Sequence, residues 1–140
     1  MPQVAARINA EQERWLKDYF RTKSAGAEFI LPWAVDTFFR AINSIKHSFS
    51  TAELKTIVEA HRDIKPMPNH TKLSYLLLRI ADACDVGSIH LRHGVSKFGI
   101  EAKLKGLDDT QATALTVWAS AFWISRNHSS ANLEEYIKSY

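Results

Sequence analysis

Hydrophobic and polar positions alternate with a period of two in Gln3-Val4-Ala5-Ala6-Arg7-Ile8, which sets Gln3, Ala5 and Arg7 on one face and Val4, Ala6 and Ile8 on the other. The spacing predicts a short strand with one wettable and one apolar side. A strand of this length cannot satisfy its own backbone groups, so the pattern requires a second copy of the chain to pair with and a helical layer beneath. From Asn9 the period becomes helical. Asn9 is a preferred N-cap, Gln12 stands at the capping-box position, and Glu11 and Glu13 fall in the first turn, where the helix dipole favours acids. Trp15, Leu16, Tyr19 and Phe20 form one apolar stripe that suits the apolar strand face. Thr22 to Gly26 interrupts the pattern, and a second helix follows to about Lys46 with two apolar sides. Phe29, Ile30, Trp33, Ala34, Phe38, Ala41 and Ile42 make one side; Leu31, Val35 and Phe39 make the other. A helix apolar on two sides has to be covered twice. Pro32 removes a backbone donor, so it either kinks this helix or moves its start to Leu31, leaving Ala25 to Ile30 as a turn.

Beyond His47-Ser48-Phe49 the pattern is mainly helical, and this break divides the chain into an N-terminal domain, residues 1–47, and a helical C-terminal domain, residues 50–140. Ser50 and Glu53 make a capping box for a third helix reaching about Arg62, with Leu54, Ile57, Val58 and His61 on its inner side. Pro66 and Pro68 impose an extended connector, and Thr71 caps a fourth helix with Leu73, Leu76, Leu77, Ile80, Ala81 and Cys84 on one face. Gly87, Gly94, Gly99 and Gly106 interrupt the period, Ile89-His90-Leu91 suits helix or strand, and the stretch reads as one or two short helices. Asp108 and Gln111 open a helix that is apolar nearly all round, through Leu115, Trp118, Ala119, Phe122 and Trp123, and so belongs in the middle of a bundle. Ser130 begins a last amphipathic helix with Leu133, Tyr136, Ile137 and Tyr140.

The order of alternating strand, capped helix, turn and doubly apolar helix resembles the ribbon-helix-helix domain of the MetJ/Arc superfamily of DNA-binding proteins, over about the first third of the chain. The fold class this resemblance implies is mainly α, with one short strand and two helices forming a dimeric ribbon-helix-helix ahead of a small helical bundle. It implies a homodimer that lays a two-stranded ribbon in the major groove of double-stranded DNA, acting as a repressor. In the family alternate ribbon residues read bases, which here are Gln3, Ala5 and Arg7. Arg suits guanine and Gln suits adenine, each good pair being worth roughly 1–3 kcal/mol of discrimination. The family's phosphate clamp at the start of the second helix falls on Ser24, Ala25 and Gly26. The chain departs from the family in carrying Ser24-Ala25-Gly26-Ala27 where members carry a Gly-polar-Ser turn, and in placing Pro32 within the helix.

Composition changes this picture little. The 46% hydrophobic content of 140 residues supports a folded core. The net charge of +3 divides into seven basic against five acidic residues through Phe49 and eleven against ten afterwards, which permits nucleic-acid binding without arguing for it. The lone cysteine, Cys84, excludes an intrachain disulfide, no leader opens the chain and no apolar run reaches the length of a bilayer span, so the expectation is a cytoplasmic protein without membrane contact.

Candidate chemistry is sparse. His90 and His93 at i, i+3 suit a shared metal with Asp82, Cys84 or Asp85 nearby, but two His without a second fixed pair are more often surface or hydrogen-bonded residues. Cys84 reads as a core residue, Asp108 as a cap beside Asp109, and Trp15, Trp33, Trp118 and Trp123 as core packing within apolar stripes. No phosphate loop, nucleophile elbow or HExxH occurs, so neither an enzyme nor a cofactor is expected. Two functions compete: the homodimeric DNA-binding regulator, whose C-terminal domain adds oligomeric contacts or receives a protein signal, and an all-α protein-interaction module of the antitoxin or phage-inhibitor kind. The second rests on the many aromatics and the absence of a strong basic cluster.

Overall fold

The computed structural model describes residues 9–20, 22–62, 73–125 and 130–139, which form eight helices. These are α1 (Ala10–Phe20), α2 (Lys23–Ser48), α3 (Thr51–Ala60), α4 (Leu73–Gly87), α5 (Ile89–Arg92), α6 (Lys97–Lys105), α7 (Asp109–Ser125) and α8 (Ser130–Ser139). They belong to two compact units, Met1–Thr37 and Phe38–Tyr140, and α2 contributes its first part to one and its last part to the other.

In the first unit, Asn9 and Gln12 close a reciprocal capping box at α1: the Gln12 N–H donates to Asn9 Oδ1 at 2.8 Å and the Asn9 N–H to Gln12 Oε1 at 3.0 Å. Thr22 then caps α2, its hydroxyl accepting from the Ala25 N–H at 3.1 Å. The two helices meet where Gly26 has no side chain, since a Cβ there would stand 2.8 Å from Leu16 Cδ2 and 3.0 Å from Phe20 Cδ2. The inner side of α1 is thus filled by Gly26.

This arrangement corrects the expected ribbon-helix-helix fold class. Every regular element among the described residues is a helix, and none is a strand. The Leu16 and Phe20 half of the α1 stripe, expected against a strand, lies on α2 instead. The expected strand itself, Gln3 to Ile8, lies outside the described residues, as does the Pro66 to Pro68 connector. Nor does α2 restart at Leu31: it begins at Lys23, directly after α1, and runs through Pro32.

The second unit is built around α3, which touches α4, α5, α7 and α8. Its buried side includes Leu54, Ile57 and Val58, and this meets Ala41, Ile42, Ile45 and Phe49 of the α2 end, Leu76, Ile80 and Cys84 of α4, Ile100 and Leu104 of α6, and Leu133, Tyr136 and Ile137 of α8 in one core. Each fully buried Leu, Ile or Phe contributes roughly 1.5–3 kcal/mol. Helix α7 is buried on most of its circumference, with Ala112, Leu115, Thr116, Trp118, Ala119, Ser120 and Phe122 all shielded. The aromatic polar tips are satisfied by backbone: the Trp123 indole donates to Val58 O at 2.7 Å, and the Tyr136 hydroxyl to Trp118 O at 2.6 Å. The glycine-broken stretch resolves into α5 and α6, with Gly94 at φ 68° closing the turn between them.

Charged groups pin the helices of this unit. Glu59 of α3 accepts from Arg92 Nη2 at 2.8 Å, which ties the one-turn α5 down, and His93 Nε2 lies 3.1 Å from the same carboxylate. Glu53 closes the α3 capping box with Ser50 and meets Lys103 Nζ at 2.5 Å. Burial alone would raise the Glu53 pKa, but the Lys103 ammonium and the hydrogen bonds with Ser50 outweigh it and hold the carboxyl below its ordinary value. With a depressed folded pKa, the stabilisation is complete above the unfolded value of about 4.3 and is lost as pH falls through the lower folded value. Glu53→Gln is therefore expected to unfold at lower denaturant than the parent at pH 7, with the gap narrowing below about pH 4. Paired urea titrations at pH 7 and pH 3 check this, and a gap that stays constant would contradict it.

Candidate interaction surface

The first unit has more apolar surface than it can enclose. Its helices are α1 and the first part of α2, and among its described residues only Gly26 is buried. Leu16 and Phe20 are half-buried over that glycine, which leaves the rest of the stripe in solvent. Trp15 is 48% exposed, Tyr19 71%, Phe29 77% and Trp33 68%.

These rings form a ladder. Trp15 lies 4.8 Å from Tyr19 and 6.0 Å from Phe20, between ring centroids, and Phe20 stacks on Phe29 at 5.8 Å. Trp33 follows Phe29 one helical turn along α2. The other flank of the same turns shows Leu31 and Val35, both more than two-fifths exposed. From Phe29 to Val35 there is no charged residue, with Glu28 and Asp36 bracketing the run.

Four aromatic side chains left half to three-quarters open amount to about 500 Å² in water, as large as the biggest apolar patch on a typical monomer. Covering it would gain on the order of 10 kcal/mol before the costs of association. The unit's charges cancel: Arg7, Arg14, Lys17, Arg21 and Lys23 stand against Glu11, Glu13, Asp18, Glu28 and Asp36.

The residues expected to carry function are placed as follows. Gln3, Ala5 and Arg7 lie outside the described residues. Ser24 is exposed, Ala25 half-buried and Gly26 buried, all in the first turn of α2. The backbone N–H groups of Ala25 and Gly26 both donate to Thr22, to its hydroxyl at 3.1 Å and its carbonyl at 3.2 Å, so two donors of the expected phosphate clamp are already engaged. His90 and His93 fall on α5 and its C-cap, and His93 pairs with Glu59. Among the described residues no three His, Cys, Asp or Glu side chains converge on a point that a metal could occupy. Cys84 is in the core, where burial pushes its thiol pKa up. Asp108 caps α7, accepting from the Gln111 N–H at 2.7 Å.

The tryptophans divide. Trp118 is buried and Trp123 half-buried, as a stripe position implies, whereas Trp15 and Trp33 are not core residues. The readable signal was the missing third element: a strip on α1 and two flanks on α2 exceed what two helices can cover for each other.

Comparison with known protein families, with characterised proteins and with solved structures finds no match to this chain. The ribbon-helix-helix resemblance accordingly gains no support there. Among the described residues no helix is long and apolar enough to cross a membrane.

Gly26 sets the distance between α1 and α2. Gly26→Val is expected to push Leu16 and Phe20 away and strip α1 of amide protection, while the second unit's exchange is unchanged. Hydrogen exchange resolved by segment measures both, and protection of residues 10–20 that survives the valine would show that the contact does not hold α1.

Proposed function

We propose that the protein is an all-α protein-interaction module and not an enzyme: its N-terminal two-helix unit docks onto another polypeptide, and its C-terminal bundle is the folded body that carries it. The observation behind this reading is the aromatic ladder in which Trp15, Tyr19, Phe29 and Trp33 are open to solvent around a half-buried Phe20, on a unit where only Gly26 is buried among the described residues. Aromatic residues with few charges among them are the composition of an interface centre, and Trp and Tyr carry much of the affinity where they occur. The cost of immobilising them is low, because each has only two side-chain torsions and several already lean on one another.

Binding of double-stranded DNA is the less supported reading. A phosphate-driven interface needs clustered positive charge, and this unit sums to zero, with two of its helix-terminal amides engaged by Thr22. In the proposed role the protein works in the cytoplasm without cofactor.

A photo-crosslinking amino acid tests the surface directly. Placed at position 33 or 29 in cells producing the full chain, it is expected to give a discrete protein adduct, which includes the case of a second copy. The same group at Glu135, exposed on α8, is expected to give none. Adducts absent from 33 and 29, or equal at all three sites, would refute the reading. In parallel, fluorescence anisotropy with random duplex DNA should show no affinity that falls steeply with salt.

A further inference from the structure

We infer that the polypeptide covering the aromatic ladder is the same unit of a second copy of this chain, the two related by a twofold axis. This rests on the interaction reading above and narrows it to one occupant.

Three observations carry it. First, α2 is apolar on two flanks between Phe29 and Val35: Phe29 and Trp33 stand on one, Leu31 and Val35 on the other, and all four are exposed. A single docked helix covers one flank, whereas a second two-helix unit brings a pair of helices and has the same surplus to bury. Second, the five positive and five negative charges of the unit cancel, so two copies meet without net repulsion, and no excess of one sign remains for an oppositely charged partner to select. Third, the area suits a pair. The four rings offer about 500 Å² and Leu31 with Val35 roughly another 150 Å², against the ~800 Å² per partner of a standard interface. Two such surfaces facing each other reach the lower end of the stable class, and each supplies the aromatic anchors the other lacks a cover for.

The pairing differs from a ribbon dimer in its elements, since helices α1 and α2 make it and no strand takes part. It also differs from a mere aggregate. A closed twofold contact uses up the surface, so mass stops at two copies instead of growing with concentration.

Sedimentation velocity of the purified full chain from 1 to 100 µM, on the order of the affinity such an area supports, provides the test. The parent is expected to approach twice 15.9 kDa. Phe29→Ser with Trp33→Ser should weaken self-association by about tenfold or more, while far-UV and near-UV circular dichroism show the bundle intact. Leu31→Ser with Val35→Ser should weaken it too, because both flanks are used, and this second variant leaves the rings in place. A dimer indifferent to both variants, or a mass that climbs beyond two copies, would overturn the inference. A chain that stays monomeric while position 33 crosslinks to a different protein would overturn it and leave the interaction function standing. A monomer with no crosslink at all would remove both.

Discussion

A helix can hide an apolar side only if something lies against it, and α2 meets that requirement over one half of its length. At its C-terminal end Ala41, Ile42 and Ile45 fall into a core supplied by five other helices. At its N-terminal end Phe29, Leu31, Trp33 and Val35 are of the same chemical kind, yet among the described residues of that unit the other helix is α1, which spends its inner side on Gly26. The difference between a buried isoleucine and an exposed tryptophan on one continuous helix is therefore a difference in neighbours, not in residue type. The functional reading depends on that shortage of cover.

The second unit encloses a core, with Phe39, Leu78, Leu91 and Phe98 left exposed around it. Its central helix, α3, is surrounded on several sides, and even its polar residues are accommodated locally: Thr56 donates to Ala52 O at 3.0 Å, and His61 must carry its proton on Nδ1, because the Ile57 carbonyl 2.7 Å away can only accept. Around this core, charge works as fastening. Glu53 and Glu59 sit on the same helix and reach Lys103 on α6 and Arg92 on α5, tying two short helices to α3. Lys97, linked to Asp85 of α4, adds a further tie to α6, and the carboxylate holds its pKa up.

Among the described residues no three His, Cys, Asp or Glu side chains gather where a metal could sit. The thiol is buried, and the paired imidazole-spacing residues are divided, His93 going to Glu59. The first unit presents exposed aromatic rings to its surroundings.

The local part of this structure was open to inspection in the order of residues. Asn9 with Gln12, Ser50 with Glu53, and Asp108 with Gln111 all form their caps, because a cap joins groups three residues apart and needs no distant partner. Leu54, Ile57 and Val58 of α3, Leu76, Ile80 and Cys84 of α4 and Leu133, Tyr136 and Ile137 of α8 are buried as their spacing implies, and so is most of α7. Whether a stripe ends in a core was not a local matter. Trp118 and Trp33 occupy equally apolar stripes, yet the first is buried, stacked on Tyr136 of α8, and the second is exposed. Period and capping are properties of a few consecutive residues, whereas burial is a property of every element that reaches the same place, and the order of residues does not specify which elements those are.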